Sequence, residues 1–83
     1  MRASMNFVVV DKQSNLIAGV ITTTTQPTGT AKALFIKVGE LTLNKYYRLL
    51  SKARKKGLLV DVGELAAISH AFLDSLVETD RKQ

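Results

Sequence analysis

The first half of the chain has the hydrophobic pattern of β-strands. Phe7–Val10 is a β-branched and aromatic run, and after a polar, turn-like gap β-forming residues resume over Leu16–Thr25. A second polar gap around Pro27 precedes a third strand candidate at 31–38. Three strands with short links predict an antiparallel β-meander over residues 5–38.

Alternation in these strands predicts two different sheet faces. Leu34, Ile36 and Val38 share one face of the third strand, and this face suits packing against helices. The opposite face is predicted to carry three large apolar residues: Phe35, Ile17 and Ile21. A face this apolar needs cover, either from a second copy of the chain in a homodimer or from a helix that crosses to it.

The period becomes helical at Leu43. Apolar residues then recur at helical spacing as far as Gly57, with Thr42 as the expected N-cap and Gly57 as the expected left-handed residue at the C-terminus. This pattern predicts a first helix over about 43–56. The segment 58–62 is either a short fourth strand or a connector.

A second helix is predicted to begin near Val62. Asp61 followed three residues later by Glu64 resembles a capping box, and the residues beyond show an apolar half and an acidic outer half. The fold class is therefore α+β: a three-stranded antiparallel β-meander followed by two α-helices packed on the sheet, with a possible short fourth strand at 58–62.

Length and composition predict one small folded domain. The 83 residues are enough for one core, and 46% apolar with 23% charged residues is ordinary for a globular protein. We expect a sheet half at 5–38, a helical half at 42–79, and loose ends at 1–4 and 80–83. The absence of cysteine excludes disulfides and thiolate chemistry and favours the cytoplasm. The apolar runs are far shorter than the ~20 residues that cross a bilayer, so no membrane partner is expected.

The net charge of +5 is concentrated in the first helix. Five cations fall within roughly 100° of its circumference: Lys45, Arg48, Lys52, Lys55 and Lys56. A solvated helix face with cations in its last turn explains part of this pattern. It does not explain Lys45 in the first turn, where the helix dipole disfavours a cation, or the absence of any acidic residue from Leu41 to Val60.

Few other residues suggest chemistry. Tyr46 and Tyr47 are able to stack on unpaired bases, but their helical positions favour packing. His70 is the single histidine, and without cysteine or a second histidine it cannot build a usual zinc site. No catalytic motif is present, so we expect neither an enzyme nor a cofactor, metal or small-molecule substrate.

Two hypotheses for the function follow. The first is a small non-enzymatic binding or regulatory protein whose basic helix face binds an acidic partner, either nucleic acid or an acidic protein surface, with nucleic acid favoured. The alternative is a protein–protein interaction module, such as a small inhibitor or adaptor, that uses the apolar sheet face and forms a homodimer. The sequence does not distinguish DNA from RNA.

Overall fold

The structure, a computed structural model, describes residues 4–81; the outermost parts of the predicted loose ends, 1–3 and 82–83, lie outside this range. A four-stranded antiparallel sheet carries helices on one face, which confirms the predicted α+β class and the short fourth strand. In chain order the elements are β1 Met5–Asp11, β2 Leu16–Thr23, β3 Ala33–Val38, α1 Glu40–Lys55, β4 Val60–Asp61, α2 Val62–Ile68 and α3 His70–Arg81.

The sheet has the strand order β3-β1-β2-β4, so β3 pairs with β1 and not with β2. β2 ends beside Met5 and β3 starts beside Asp11, so the link at 24–32 must run the length of β1. This link lies over the second sheet face, where Pro27 and Phe7 line the same pocket and only 1% of Phe7 is exposed. The cover expected for this face therefore comes partly from a loop.

A β-bulge in β2 changes which residues share a face. Val9 pairs with Gly19 whereas Val10 pairs with Ile17, so Ala18 is the extra residue. Counting by twos fails across a bulge, and Ile17 turns to the core face, where it is fully buried. The expectation that Ile17 shares a surface with Ile21 was therefore wrong.

The core lies between one sheet face and all three helices. Val8 and Ile36 from the sheet pack with Tyr46 of α1, Leu65 of α2 and Phe72 of α3 in one buried cluster. α2 and the first turn of α3 thus lie on the same side of the sheet as α1, whereas Ser75 and Thr79 further along α3 reach the pocket that Phe7 lines on the second face. In residues 4–81 no helix combines the length and apolar character required to cross a membrane.

Ser69 divides the predicted second helix into α2 and α3. Its backbone is extended, its N–H donates to the Leu65 carbonyl that ends α2, and its Oγ accepts from the Phe72 N–H in the first turn of α3. The same Oγ lies 3.0 Å from the Oγ of Thr42, and both residues are buried. Thr42 is therefore not the N-cap of α1, which begins earlier, after Gly39.

The other helix ends follow the predicted signals. Gly57 has a φ of 70°, and the N–H groups of Leu58 and Gly57 donate to the carbonyls of Ala53 and Arg54, which is a Schellman motif. The Asp61 carboxylate accepts a 2.7 Å hydrogen bond from the Gly63 N–H and so caps the start of α2. α3 continues through Arg81 and extends the helical half slightly beyond its predicted end at 79.

Candidate anion-binding face of helix α1

One side of α1 is anchored in the core, and this orients the opposite side to solvent. Tyr46 is buried against the sheet, which fixes the rotation of the helix. We call the outward cations the basic face: Lys45, Arg48, Lys52, Lys55 and Lys56, all of which are exposed. At about 1.5 Å of rise per residue the face extends for about 16 Å along the helix.

The basic face has no counter-charge among the side chains that the structure describes. None of its five members forms an ion pair there. The Lys45 Nζ donates a 2.9 Å hydrogen bond to the backbone carbonyl of Ile68. This carbonyl is neutral, so the ammonium charge persists and remains available to an anion.

Because α1 begins at Glu40, Lys45 lies in its second turn and not in the first, so the expected conflict with the helix dipole does not arise. The contact to Ile68 gives Lys45 a structural role. The last carbonyls of a helix have no partner within the helix, and a lysine is a suitable donor to them. Lys45, which lies in the first half of α1, thus donates to a carbonyl at the end of α2 and helps to end that helix. Four of the five cations, Arg48, Lys52, Lys55 and Lys56, have no such role within the described residues.

An exposed leucine lies at the start of the basic face. Because α1 begins at Glu40, Leu41 is a helical residue, and its helical angle places it between those of Arg48 and Lys52. Its side chain is 79% exposed. Sequence reasoning missed it because the expected helix started after Thr42; the neighbouring Glu40, typical of a first turn, was the available signal.

The two tyrosines have different surroundings. Tyr46 packs in the core as expected, whereas Tyr47, on the border of the predicted apolar stripe, packs only in part and is 48% exposed. The two ring centroids lie 5.5 Å apart with the planes inclined by 48°. Burial raises the pKa of the Tyr46 phenol, the nearby Tyr47 raises it further, and Arg54 acts in the opposite direction.

The residues predicted for a protein interface do not form one surface. Phe35 is half-buried on the second sheet face, where it lines a pocket with Phe7 and with Ser75 of α3. Ile21 belongs to the same face and is 38% exposed. Ile17 is in the core, on the other side of the sheet.

The described residues contain no grouping of three or more metal-ligating side chains. His70 is exposed at the start of α3, outside the core.

Comparisons of the chain with protein-family models, with curated proteins and with solved structures gave no match. The geometry of the basic face and its surroundings is therefore the basis for assigning a function.

Proposed function

We propose that this chain is a non-enzymatic, cytoplasmic binding protein that uses the basic face to hold the phosphate backbone of a nucleic acid. The observation that carries the proposal is a group of five exposed cations on one helix with no ion pair among the described side chains. Guanidinium and ammonium groups form charge-assisted hydrogen bonds to phosphate, and each neutralised phosphate releases condensed counterions.

The charges set an upper limit on the salt dependence of binding. If all five cations contact phosphates, the slope of log K against log salt concentration is about −4.5 on duplex DNA and about −3.5 on a single strand. A helix that contacts backbone oxygens alone carries no direct information on sequence. We therefore expect binding that is tight at low salt, weak at high salt and little affected by the nucleotide sequence.

The test is a salt series of nucleic-acid binding with the native chain and the Lys52→Glu/Lys55→Glu variant. Removing two contacts and adding two repulsive charges is expected to reduce affinity at low salt by more than about tenfold and to flatten the salt slope. The matched control is Lys12→Glu/Lys32→Glu, which makes the same change in net charge at exposed positions away from α1. This control should retain most of the binding.

Equal losses in both variants would show that overall charge, not the basic face, governs binding. Equal binding by the native chain and both variants would remove the proposal. Competition with an acidic polypeptide forms a further arm of the test. If the native chain binds the polypeptide tightly and nucleic acid does not compete with it, the partner is an acidic protein surface.

The alternative of a homodimeric interaction module through the second sheet face has less support. The 24–32 link already covers Phe7, and Ile17 points into the core, so Ile21 and the half-buried Phe35 are what remain of the predicted surface. Light scattering after gel filtration tests it directly, because a monomer at high protein concentration would contradict it.

A further inference from the structure

An open pocket lies between α1 and the outer edge of β2, on a different side of α1 from the basic face. We call it the edge pocket; its volume is about 230 Å³ and its lining includes Gly19, Val20, Tyr47, Leu50, Arg54 and Leu59. Pockets for whole small molecules begin at roughly 300 Å³, so this one suits a single ring system. Tyr47 and Leu59 are each 48% exposed, so the pocket presents an aromatic ring and an aliphatic side chain to solvent.

The lining of the edge pocket has the chemistry that binds a nucleobase. The Tyr47 ring is braced by the buried Tyr46 ring 5.5 Å away, so an exposed aromatic surface is held in place. A base stacks on such a surface whatever its identity, because every base has a π-face. Leu59 supplies an apolar surface on the same pocket.

The edge of β2 adds hydrogen-bonding groups. β4 pairs only with Leu16 and Ile17, so in residues 4–81 the outer edge of β2 from Ala18 onward has no strand partner. The backbone of Ala18, Gly19 and Val20 lines the pocket along this edge. Its unpaired N–H and C=O groups are the ones that the polar edge of a planar ring would meet.

Arg54 is the cation on the wall of the edge pocket. Its charge acts on Tyr46 at the pocket's inner side. The next residue, Lys55, lies about 100° further around the helix at the near margin of the basic face, and Lys52 lies about 60° beyond it. A single strand whose base enters the pocket would therefore bend around the C-terminal turn of α1 to bring its flanking phosphates to these cations.

From this arrangement we propose that the ligand of the basic face is single-stranded nucleic acid, with one unpaired base stacked on Tyr47 in the edge pocket. This inference rests on the proposed function. A base within a duplex has both faces covered by its neighbours and its edge occupied by its partner, so it cannot reach Tyr47 without being extruded. The pocket therefore selects single strands, while the basic face supplies affinity.

The experiment compares native chain, Tyr47→Ala and Tyr47→Phe on single-stranded DNA, single-stranded RNA and a duplex of equal phosphate content. Loss of the ring should weaken single-strand binding by about tenfold, while duplex binding and the salt slope stay close to native values. Tyr47→Phe keeps the ring and should bind single strands like the native chain. The DNA and RNA arms distinguish the two sources of unpaired bases. Stronger binding to either single strand than to the duplex supports the proposal.

A direct signal is available because the chain has two tyrosines and no tryptophan. Single strands should quench the tyrosine fluorescence of the native chain, and most of this quenching should disappear in Tyr47→Phe. Unchanged quenching in that variant would contradict stacking on Tyr47.

The outcomes separate this inference from the proposed function. If Tyr47→Ala binds single strands as tightly as the native chain, or if the native chain prefers the duplex, the Tyr47 site is wrong. The basic-face proposal would survive either result, provided that Lys52→Glu/Lys55→Glu still loses binding. If the native chain binds none of the three nucleic acids at low salt, both proposals fail together.

Discussion

At the scale of single residues, the buried hydroxyl pair of Thr42 and Ser69 is the contact that joins α1 to the break between α2 and α3. The two Oγ atoms are 3.0 Å apart, and Ser69 also accepts from the Phe72 N–H. Thr42→Val keeps the shape but leaves Ser69 without this partner. We expect a loss of about 1–3 kcal/mol in the free energy of unfolding, measured by urea denaturation.

The double variant Thr42→Val/Ser69→Ala provides the control for that prediction. Removing both partners leaves no orphan hydroxyl, so the combined loss should be smaller than the sum of the two single losses. Ser69→Ala also removes the cap of α3, so some loss must remain in the double variant. Strict additivity would show that the hydroxyl pair contributes no coupling.

Thr42 and Gly57 show which residue roles the sequence reveals. A glycine at the end of a helical pattern has a local signature, and its positive φ of 70° and the Schellman bonds were predictable. Threonine before an apolar run suggested a cap for an equally local reason. The actual partner of Thr42 is 27 positions away in the sequence, and no local preference contains that information.

At the scale of elements, repulsion between the cations of the basic face destabilises α1. Lys52 has three like-charged neighbours at helical spacing, namely Arg48, Lys55 and Lys56, and each such pair costs about 0.2–0.5 kcal/mol. Lys52→Glu turns all three into attractive pairs and loses one favourable contact with the helix dipole. We expect a net gain of about 1 kcal/mol at low salt, or a melting temperature about 4–8 °C higher.

This gain should shrink as salt is added, because the charges are exposed and screened. Lys12→Glu makes the same change in net charge outside α1 and should not reproduce the gain. A Lys52→Glu variant that is more stable but binds nucleic acid less well would show that the cations are retained at a cost to the fold. A variant less stable than the native chain at low salt would contradict this account.

The hydrophobic pattern of the sequence did not predict two features of the elements. The bulge at Ala18 leaves composition and β-propensity unchanged, yet it reverses the face of Ile17. Ser69 interrupts a run that remains amphipathic on both sides, so periodicity continues through the break. Both features depend on where neighbouring elements make their contacts, whereas the positions of α1 and the basic face followed from a single sustained period.

At the scale of the whole molecule, strand order was the least predictable property. A polar segment with a proline and a glycine has the same composition whether it turns between neighbouring strands or spans β1 to reach its far side. The link at 24–32 does the second, and together with Ser75 and Thr79 of α3 it surrounds Phe7 on that face. This cover removes much of the apolar surface that suggested a homodimer.

The stability of the whole molecule at high pH provides a test of how firmly α1 is seated. Burial in the core raises the pKa of the Tyr46 phenol above the usual 10.0, so the folded state holds this proton more tightly than the unfolded state does. The stabilisation is therefore fully present below pH 10.0 and is lost as the pH rises through the folded-state pKa. The free energy of unfolding should fall with pH in this alkaline range.

The free energy of unfolding of the Tyr46→Phe variant should fall less steeply with pH than that of the native chain over the same alkaline range. Lysine titration affects both proteins and cancels in their difference, which isolates the phenol. Tyr47→Phe is the matched control: it keeps the buried phenol, so the steep decline should persist, although reduced because Tyr47 no longer raises the Tyr46 pKa. Identical alkaline slopes for the native chain and Tyr46→Phe would mean that the phenol is solvated, that α1 is loosely docked, and that the edge pocket lacks a fixed aromatic wall.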